Sequence, residues 1–126
     1  MQRRSSIFAL AAVGASFAAV SGAQAQTTAA PITLVIELTA TRSKPRAEAV
    51  AAMKRVVEVI ARQPGLVDEM LMENKNPDNK PSHVHVMRWR SLQNWEAVHT
   101  NPEFQKVLQA NATYFTLSAG IYTPVK

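Results

Sequence analysis

Residues 82–104 change their hydrophobic period halfway, from two residues to about 3.6. Side chains of a strand alternate between its faces. One face of a strand over residues 82–90 would therefore carry His83, His85, Met87 and Trp89. The apolar residues that follow have the spacing of a short amphipathic helix: Leu92, Trp95, Ala97, Val98 and His99. This switch predicts an α+β domain in which indole and imidazole groups lie between a sheet and a helix.

Two interpretations of these aromatic and imidazole groups remain open. Where the helix folds back over the sheet, His85 and Trp89 of the strand can meet Trp95 and His99 of the helix, which are one turn apart. Flat apolar walls with a few polar groups are typical of a small-molecule pocket. The same residues also suit ordinary core packing, because tryptophan is usually well buried.

The rest of the chain predicts a regular order of elements. Strands are expected at residues 32–39, 66–73, 82–90 and 117–125. A helix is expected at residues 45–63, ended by Pro64-Gly65, and a helical segment after residue 90 is interrupted at Asn101-Pro102 and resumes over residues 103–114. The polar residues 74–81 form a surface loop between two strands.

The order β-α-β-β-α-β is the ferredoxin-like pattern, an antiparallel four-stranded sheet with its helices on one face. The spacing of the first helix selects an apolar stripe of Ala47, Val50, Ala51, Val57 and Ile60, with Met53 at its edge. The other face of the sheet would be left uncovered in a single protomer. We therefore expect two protomers to pair as a homodimer through their sheets.

The first 25 residues have the composition of a secretory signal peptide. Arg3 and Arg4 precede an uncharged apolar run, and the small-x-small pattern Ala23-Gln24-Ala25 predicts cleavage after Ala25. The paired arginines also suit the twin-arginine route. We expect a periplasmic or secreted protein with no stable membrane association after cleavage, a flexible leader at residues 26–31 and one domain at residues 32–126.

Charge and cysteine content exclude several classes of function. The chain has no cysteine, which excludes disulfides, thiolate metal sites and a cysteine nucleophile. The formal net charge is +5, but basic residues are interleaved with acidic ones and form no block, so no nucleic-acid partner is expected. Neither a Gly-rich phosphate loop nor a Ser-His-Asp arrangement is readable, and Asp68 and Glu69 fall on opposite strand faces.

Three local patterns resemble one known family. They are Gln63-Pro64-Gly65 before the second strand, Trp89 at the end of the third, and Ala97-x-His99-x-x-x-Pro102-x-Phe104 across the helix break. In this order and spacing, residues 32–124 resemble the antibiotic biosynthesis monooxygenase family, whose members are dimeric α+β barrels. The resemblance implies a homodimeric, cofactor-independent oxygenase that acts on a small aromatic phenol, quinol or anthrone with O2.

The implied roles follow from the chemistry of each side chain. Such an enzyme must hold the ring, remove a proton and stabilise the anion. His85 is the expected base or orienting group and His99 a second candidate, because imidazole titrates near neutral pH. Trp89 is placed with them for catalysis, since its indole N–H is a donor. The expected substrate-binding residues are Trp95, Met87, Phe104 and Tyr114.

The chain departs from the family pattern at one point. Many relatives carry an acidic residue just before the strand tryptophan, where this sequence has Met87 and Arg88. Relatives that degrade haem have an axial histidine on the helix after the break, and residues 107–111 contain none. The resemblance therefore favours quinol-type oxidation over haem degradation.

Two functions from other classes remain as alternatives. His83, His85 and Met87, with Met70 and Met72 of the neighbouring strand, form a soft ligand set suited to copper. Methionine also fills irregular cores without any metal. The same pocket would equally serve a non-catalytic carrier or sensor of small molecules.

Overall fold

The computed structural model describes residues 30–126. The predicted signal peptide, with most of the leader, lies outside the described residues. The elements in chain order are β1 Ile32–Ala40, α1 Arg46–Ala61, β2 Leu66–Glu73, β3 His83–Trp89, α2 Leu92–His99, α3 Pro102–Ala110 and β4 Phe115–Tyr122.

The four strands form one antiparallel sheet in the order β2-β3-β1-β4. The predicted ferredoxin-like fold is therefore confirmed. The central strand β1 pairs with β3 on one side, with Ile32 opposite Trp89 and Ile36 opposite His85. Alternate residues of β1 are buried under the helices, namely Ile32, Leu34, Ile36 and Leu38. We call this side of the sheet the helix-facing side.

Helix α1 covers the sheet with a stripe that differs from the predicted one. Its buried residues are Ala49, Ala52, Met53, Val56, Val59 and Ile60. The prediction was wrong for Ala47 and Ala51, which are exposed. Alanines and valines occur all around this helix, so small residues do not identify the buried side. The larger side chains of Met53 and Ile60 do.

The boundary between α3 and β4 also differs from the prediction. The helix ends at Ala110, four residues earlier than predicted, because the side-chain amide of Asn111 is bonded to groups around it. Its Nδ2 donates to the Val107 carbonyl and its Oδ1 accepts from Arg55 Nε. The carbonyl of Tyr114 then accepts from the Thr41 amide. This bond places Phe115 opposite Ala40, so β4 begins two residues earlier than predicted.

The opposite side of the sheet, which we call the open face, is not covered by any element of residues 30–126. Val35, Val84 and Val86 are half-buried there, and Met70 and Met72 are 59% and 42% exposed. Within residues 30–126, no helix is both long and apolar enough to cross a membrane.

Candidate functional site

The strand β3 places its predicted site residues in one buried row. His83, His85, Met87 and Trp89 all point toward the helices and are 3%, 1%, 0% and 0% exposed. Their alternation with half-buried valines follows from the pleat of a strand whose two faces have different neighbours. The row thus lies between the sheet and the helices, where the sequence placed it.

At the Trp89 end of this row, four rings form an aromatic cluster of Trp89, Trp95, His99 and Phe104. The Trp95 ring centroid lies 5.8 Å from Trp89, 6.2 Å from His99 and 6.0 Å from Phe104. Tilted and edge-on contacts at these distances are favourable. Inserting a planar ligand between two rings needs about 7 Å, twice the carbon–carbon contact distance. A ligand must therefore bind beside this cluster or separate its rings.

The indole N–H of Trp89 is a buried donor without a protein partner. Among the described residues that are not exposed, it is the buried side-chain polar atom that lacks a hydrogen bond. A buried polar group that loses its bond to water costs about 1–3 kcal/mol. An acceptor oxygen of a bound ligand or water would remove this cost.

The other end of the row contains a carboxylate that the sequence interpretation missed. His85 Nε2 lies 2.5 Å from Glu69 Oε1 on the neighbouring strand β2. The His85 side chain is 2% exposed and that of Glu69 is 26% exposed. Glu69 therefore provides a carboxylate from across the sheet, on the same face as His85.

The contact between Glu69 and His85 follows from the pairing of the two strands in the β2–β3 hairpin. The β2–β3 hairpin is centred on Asp78, so Glu69 pairs with Met87 and Leu71 with His85. A hairpin centred on the polar loop would have predicted this register. The shift between Leu66 and Asp68 then limits how far the register can be extended.

Burial dominates the titration of both strand histidines. Desolvation lowers the pKa of His85 below its ordinary value, and the bond to Glu69 opposes part of that shift. Burial likewise lowers the pKa of His83, opposed by the charge of Glu73 at 3.8 Å. Both imidazoles are therefore held largely neutral at neutral pH, which is the form a base requires.

The structure divides the predicted site into two parts. His85 and Trp89 are four residues apart, or ~13 Å between α-carbons at the rise of a strand. The fully buried Met87 lies between them. Tyr114 contributes to neither part, since it precedes Phe115 at the sheet end opposite Trp89. Lys44 Nζ lies 5.2 Å from its ring centroid there.

The residues suggested for copper binding do not share a face. Met70 and Met72 pair with Val86 and Val84 on the open face, whereas His83 and His85 lie on the helix-facing side. In the part of the chain that is described, no three histidine, aspartate or glutamate residues are grouped so as to hold a metal. The antiparallel register therefore separates the Met70 and Met72 thioethers from His83, His85 and Met87.

A depression of about 240 Å³ lies on the far side of the sheet from His85. Its lining consists of Glu37, Thr39, Lys80, Pro81, Thr116, Leu117 and Ser118. It is open, and it contains none of the predicted site residues.

Comparison with known proteins yields one family and a set of shared folds. Residues 31–110 match the model of the family described as antibiotic biosynthesis monooxygenase. No curated protein sequence matches the chain.

Solved structures with this fold are distant in sequence. SnoaB, a cofactor-independent oxygenase from Streptomyces nogalater, is 24% identical with a TM-score of 0.66, and the match covers 77% of this chain and 95% of SnoaB. A dimeric protein with a ferredoxin-like fold from Bacteroides fragilis is 14% identical with a TM-score of 0.59, covering 73% and 94%. Rv0793 from Mycobacterium tuberculosis is 14% identical with a TM-score of 0.62, covering 77% and 97%. At these identities the likeness establishes the fold alone.

Proposed function

This chain belongs to the antibiotic biosynthesis monooxygenase family, and we propose that it is a cofactor-independent monooxygenase that oxidises a small aromatic phenol, quinol or anthrone with O2. The observation that carries the proposal is the unpaired, buried indole N–H of Trp89 on the same face as His85. A donor and a base on one buried face are what such a reaction needs. SnoaB, which shares the fold, is described as a cofactor-independent oxygenase.

The separation of the two groups suits a conjugated substrate. Side chains stand roughly perpendicular to a sheet. The side chains of His85 and Trp89 are therefore separated by a distance similar to the ~13 Å between their α-carbons. A hydrogen bond of about 2.9 Å at each end leaves roughly 7 Å. A substrate with polar groups at opposite ends of its ring system can span this length once the buried Met87 side chain moves aside. His85 would remove a proton at one end. Trp89 would donate to the oxygen that receives the delocalised negative charge at the other.

The reaction balances without an external reductant. Loss of the proton leaves an electron-rich anion that passes electrons to O2. For an anthrone, a methylene carbon loses two hydrogens and gains one oxygen atom, and the second oxygen atom leaves as water. All the electrons that reduce O2 come from the substrate.

Access to His85 is expected at the β2 edge of the sheet. There Glu69 and Leu71 are only half-buried, whereas His85 of β3 and Ile36 of β1 beside them are buried. A substrate entering across this edge would meet His85 first. Its far end would reach toward Trp89 as Met87 and the aromatic cluster move aside.

Oxygen uptake tests the proposal. The purified protein, incubated with anthrone or naphthohydroquinone, should consume O2 faster than the probe oxidises alone. His85→Ala and Trp89→Phe should each lose at least about tenfold, since a positioned base alone supplies roughly 10²- to 10⁴-fold. Tight probe binding without uptake would instead establish the alternative, a non-catalytic carrier.

Export and dimerisation form part of the same proposal. Residues 1–25 direct export to the periplasm or the medium, and mass spectrometry of the exported protein should find Gln26 at its N-terminus. The apolar open face pairs two protomers, as a dimeric relative in fold suggests.

A further inference from the structure

The contact between Glu69 and His85 decides which ring nitrogen of His85 is basic. A carboxylate oxygen can only accept a hydrogen bond, so at 2.5 Å the Nε2 atom must carry the proton. A neutral imidazole has one N–H and one lone pair. The lone pair therefore lies on Nδ1.

We infer that Glu69 is a positioning residue that fixes His85 in the Nε2–H tautomer, so that Nδ1 is the atom that accepts the substrate's proton. This inference rests on the proposed oxygenase function. The substrate O–H or C–H bond breaks, its electron pair stays on the substrate, and an Nδ1–H bond forms. The same N–H later returns its proton to the oxygen atom that leaves as water.

The charge of Glu69 has a second effect on the base. Protonation makes His85 an imidazolium, which burial disfavours. Glu69 provides the opposite charge at hydrogen-bond distance, while its own 26% exposure leaves it partly hydrated. Burial keeps His85 neutral before the reaction, and Glu69 makes the transient imidazolium less costly.

No other described charge faces His85 as closely. The buried surface of α1 is entirely apolar, and the residue opposite on β1 is Ile36. On β2 the directly opposed residue is Leu71. Along the row the nearest titratable groups are His83 and its neighbour Glu73, two positions away.

His83 and Glu73 provide a matched control on the same two strands. They form a second histidine–carboxylate pair, but Glu73 is directly opposite His83 whereas Glu69 is diagonal to His85. Their atoms are 3.8 Å apart and the Glu73 side chain is 66% exposed. His83 Nδ1 lies 2.9 Å from Ser82 Oγ instead. Glu73→Gln removes a similar carboxylate without touching the proposed base.

Nitrogen NMR of the full-length protein labelled at histidine tests the tautomer without any substrate. The chain has three histidines, so single His→Gln variants assign each ring. His85 should show a protonated Nε2 and a bare Nδ1 at neutral pH. Glu69→Ala should lose this single tautomer, and Glu73→Gln should keep it. A bare Nε2 in the wild-type protein would overturn the inference even if the probe is oxidised.

Steady-state kinetics with anthrone under O2 test the role in turnover. Glu69→Gln should lower kcat by about tenfold or more with little change in KM, and should move the acidic limb of the pH–rate profile to lower pH, because the group that raises the His85 pKa is gone. Glu73→Gln should leave both unchanged. An unmoved limb in Glu69→Gln would overturn the inference while leaving the oxygenase intact. If neither naphthohydroquinone nor anthrone is consumed, both the proposed function and the catalytic role of Glu69 and His85 are contradicted.

Discussion

At the scale of single residues, the helix-facing layer buries several polar groups. His83, His85 and Ser82 are all less than 4% exposed, and Trp89 buries an N–H without a partner. Such groups cost stability unless they are bonded. Ser82 Oγ is bonded to backbone groups and lies 2.9 Å from His83 Nδ1, whereas the Trp89 N–H has no partner. Substitution of Ser82 should therefore cost more stability than removal of the Trp89 donor.

Acid should destabilise the protein through its strand histidines. Burial holds the pKa of His83 and His85 below the ordinary 6.5. As pH falls below about 6.5 the unfolded chain takes up protons that the folded chain refuses, so the free energy of unfolding falls and levels off below the folded pKa values. Urea unfolding between pH 5 and 8 should show this, with a reduced slope in His85→Leu. An unchanged slope in that variant would contradict the assignment.

Ser82 should be structural rather than a nucleophile beside His83. Its hydroxyl accepts from the Ala40 amide at 2.8 Å and donates to the Leu38 carbonyl at 3.2 Å, which ties the end of β3 to β1. Ser82→Ala should cost about 1–3 kcal/mol in urea unfolding because backbone groups lose their partner. The exposed Thr113→Ala is the control and should stay within about 0.5 kcal/mol. Loss of turnover in Ser82→Ala at unchanged stability would contradict a structural role.

At the scale of elements, the sequence predicted a strand or helix boundary correctly where residues at that boundary determine it. Strand β2 begins and ends where the sequence predicted, because Gly65 and the polar loop after Glu73 limit it. The end of α3 was missed because it depends on Arg55 of another helix. The partner of His85 was missed for the same reason, since Glu69 is distant in sequence. Periodicity identifies the face of a strand, but contacts between strands require the register.

Gly65 should be essential to the turn from α1 into β2. Its φ of +93° favours glycine, and an added Cβ would overlap the side chain of Asn94. Gly65→Ala should therefore lower the free energy of unfolding by about 2–4 kcal/mol, from backbone strain together with overpacking.

The Asn94→Gly background separates these two causes, because it removes every Asn94 side-chain atom near the added Cβ. There Gly65→Ala should cost only the strain of about 1–2 kcal/mol. Equal costs in both backgrounds, measured by urea unfolding, would show that Asn94 does not limit the space at Gly65.

At the scale of the whole molecule, residues 30–126 leave one face of the sheet uncovered. The open face combines exposed Met70 and Met72 with half-buried Val84 and Val86, while the helix-facing side of β3 is fully covered. Exposed apolar area of this kind is typical of an interaction surface. The fold thus separates a buried candidate site from the surface proposed for dimerisation.

Charge on the open face should produce a monomer. Val86→Lys places an ammonium group at the centre of the apolar patch, which a paired sheet could not hydrate. Analytical ultracentrifugation should give a dimer for the wild-type protein and a monomer for Val86→Lys. The exposed helical substitution Gln93→Lys should leave the dimer intact. A wild-type monomer at micromolar concentration would contradict the pairing.

Incorporation of ¹⁸O from labelled O2 is the most direct test of the central claim, that the layer holding His85 and Trp89 oxidises an aromatic substrate. The protein, anthrone and ¹⁸O2, with nothing else added, should give a product with one ¹⁸O atom by mass spectrometry, at a rate that His85→Ala and Trp89→Phe sharply reduce. A product that forms no faster than without protein, or whose new oxygen comes from water, would contradict the account.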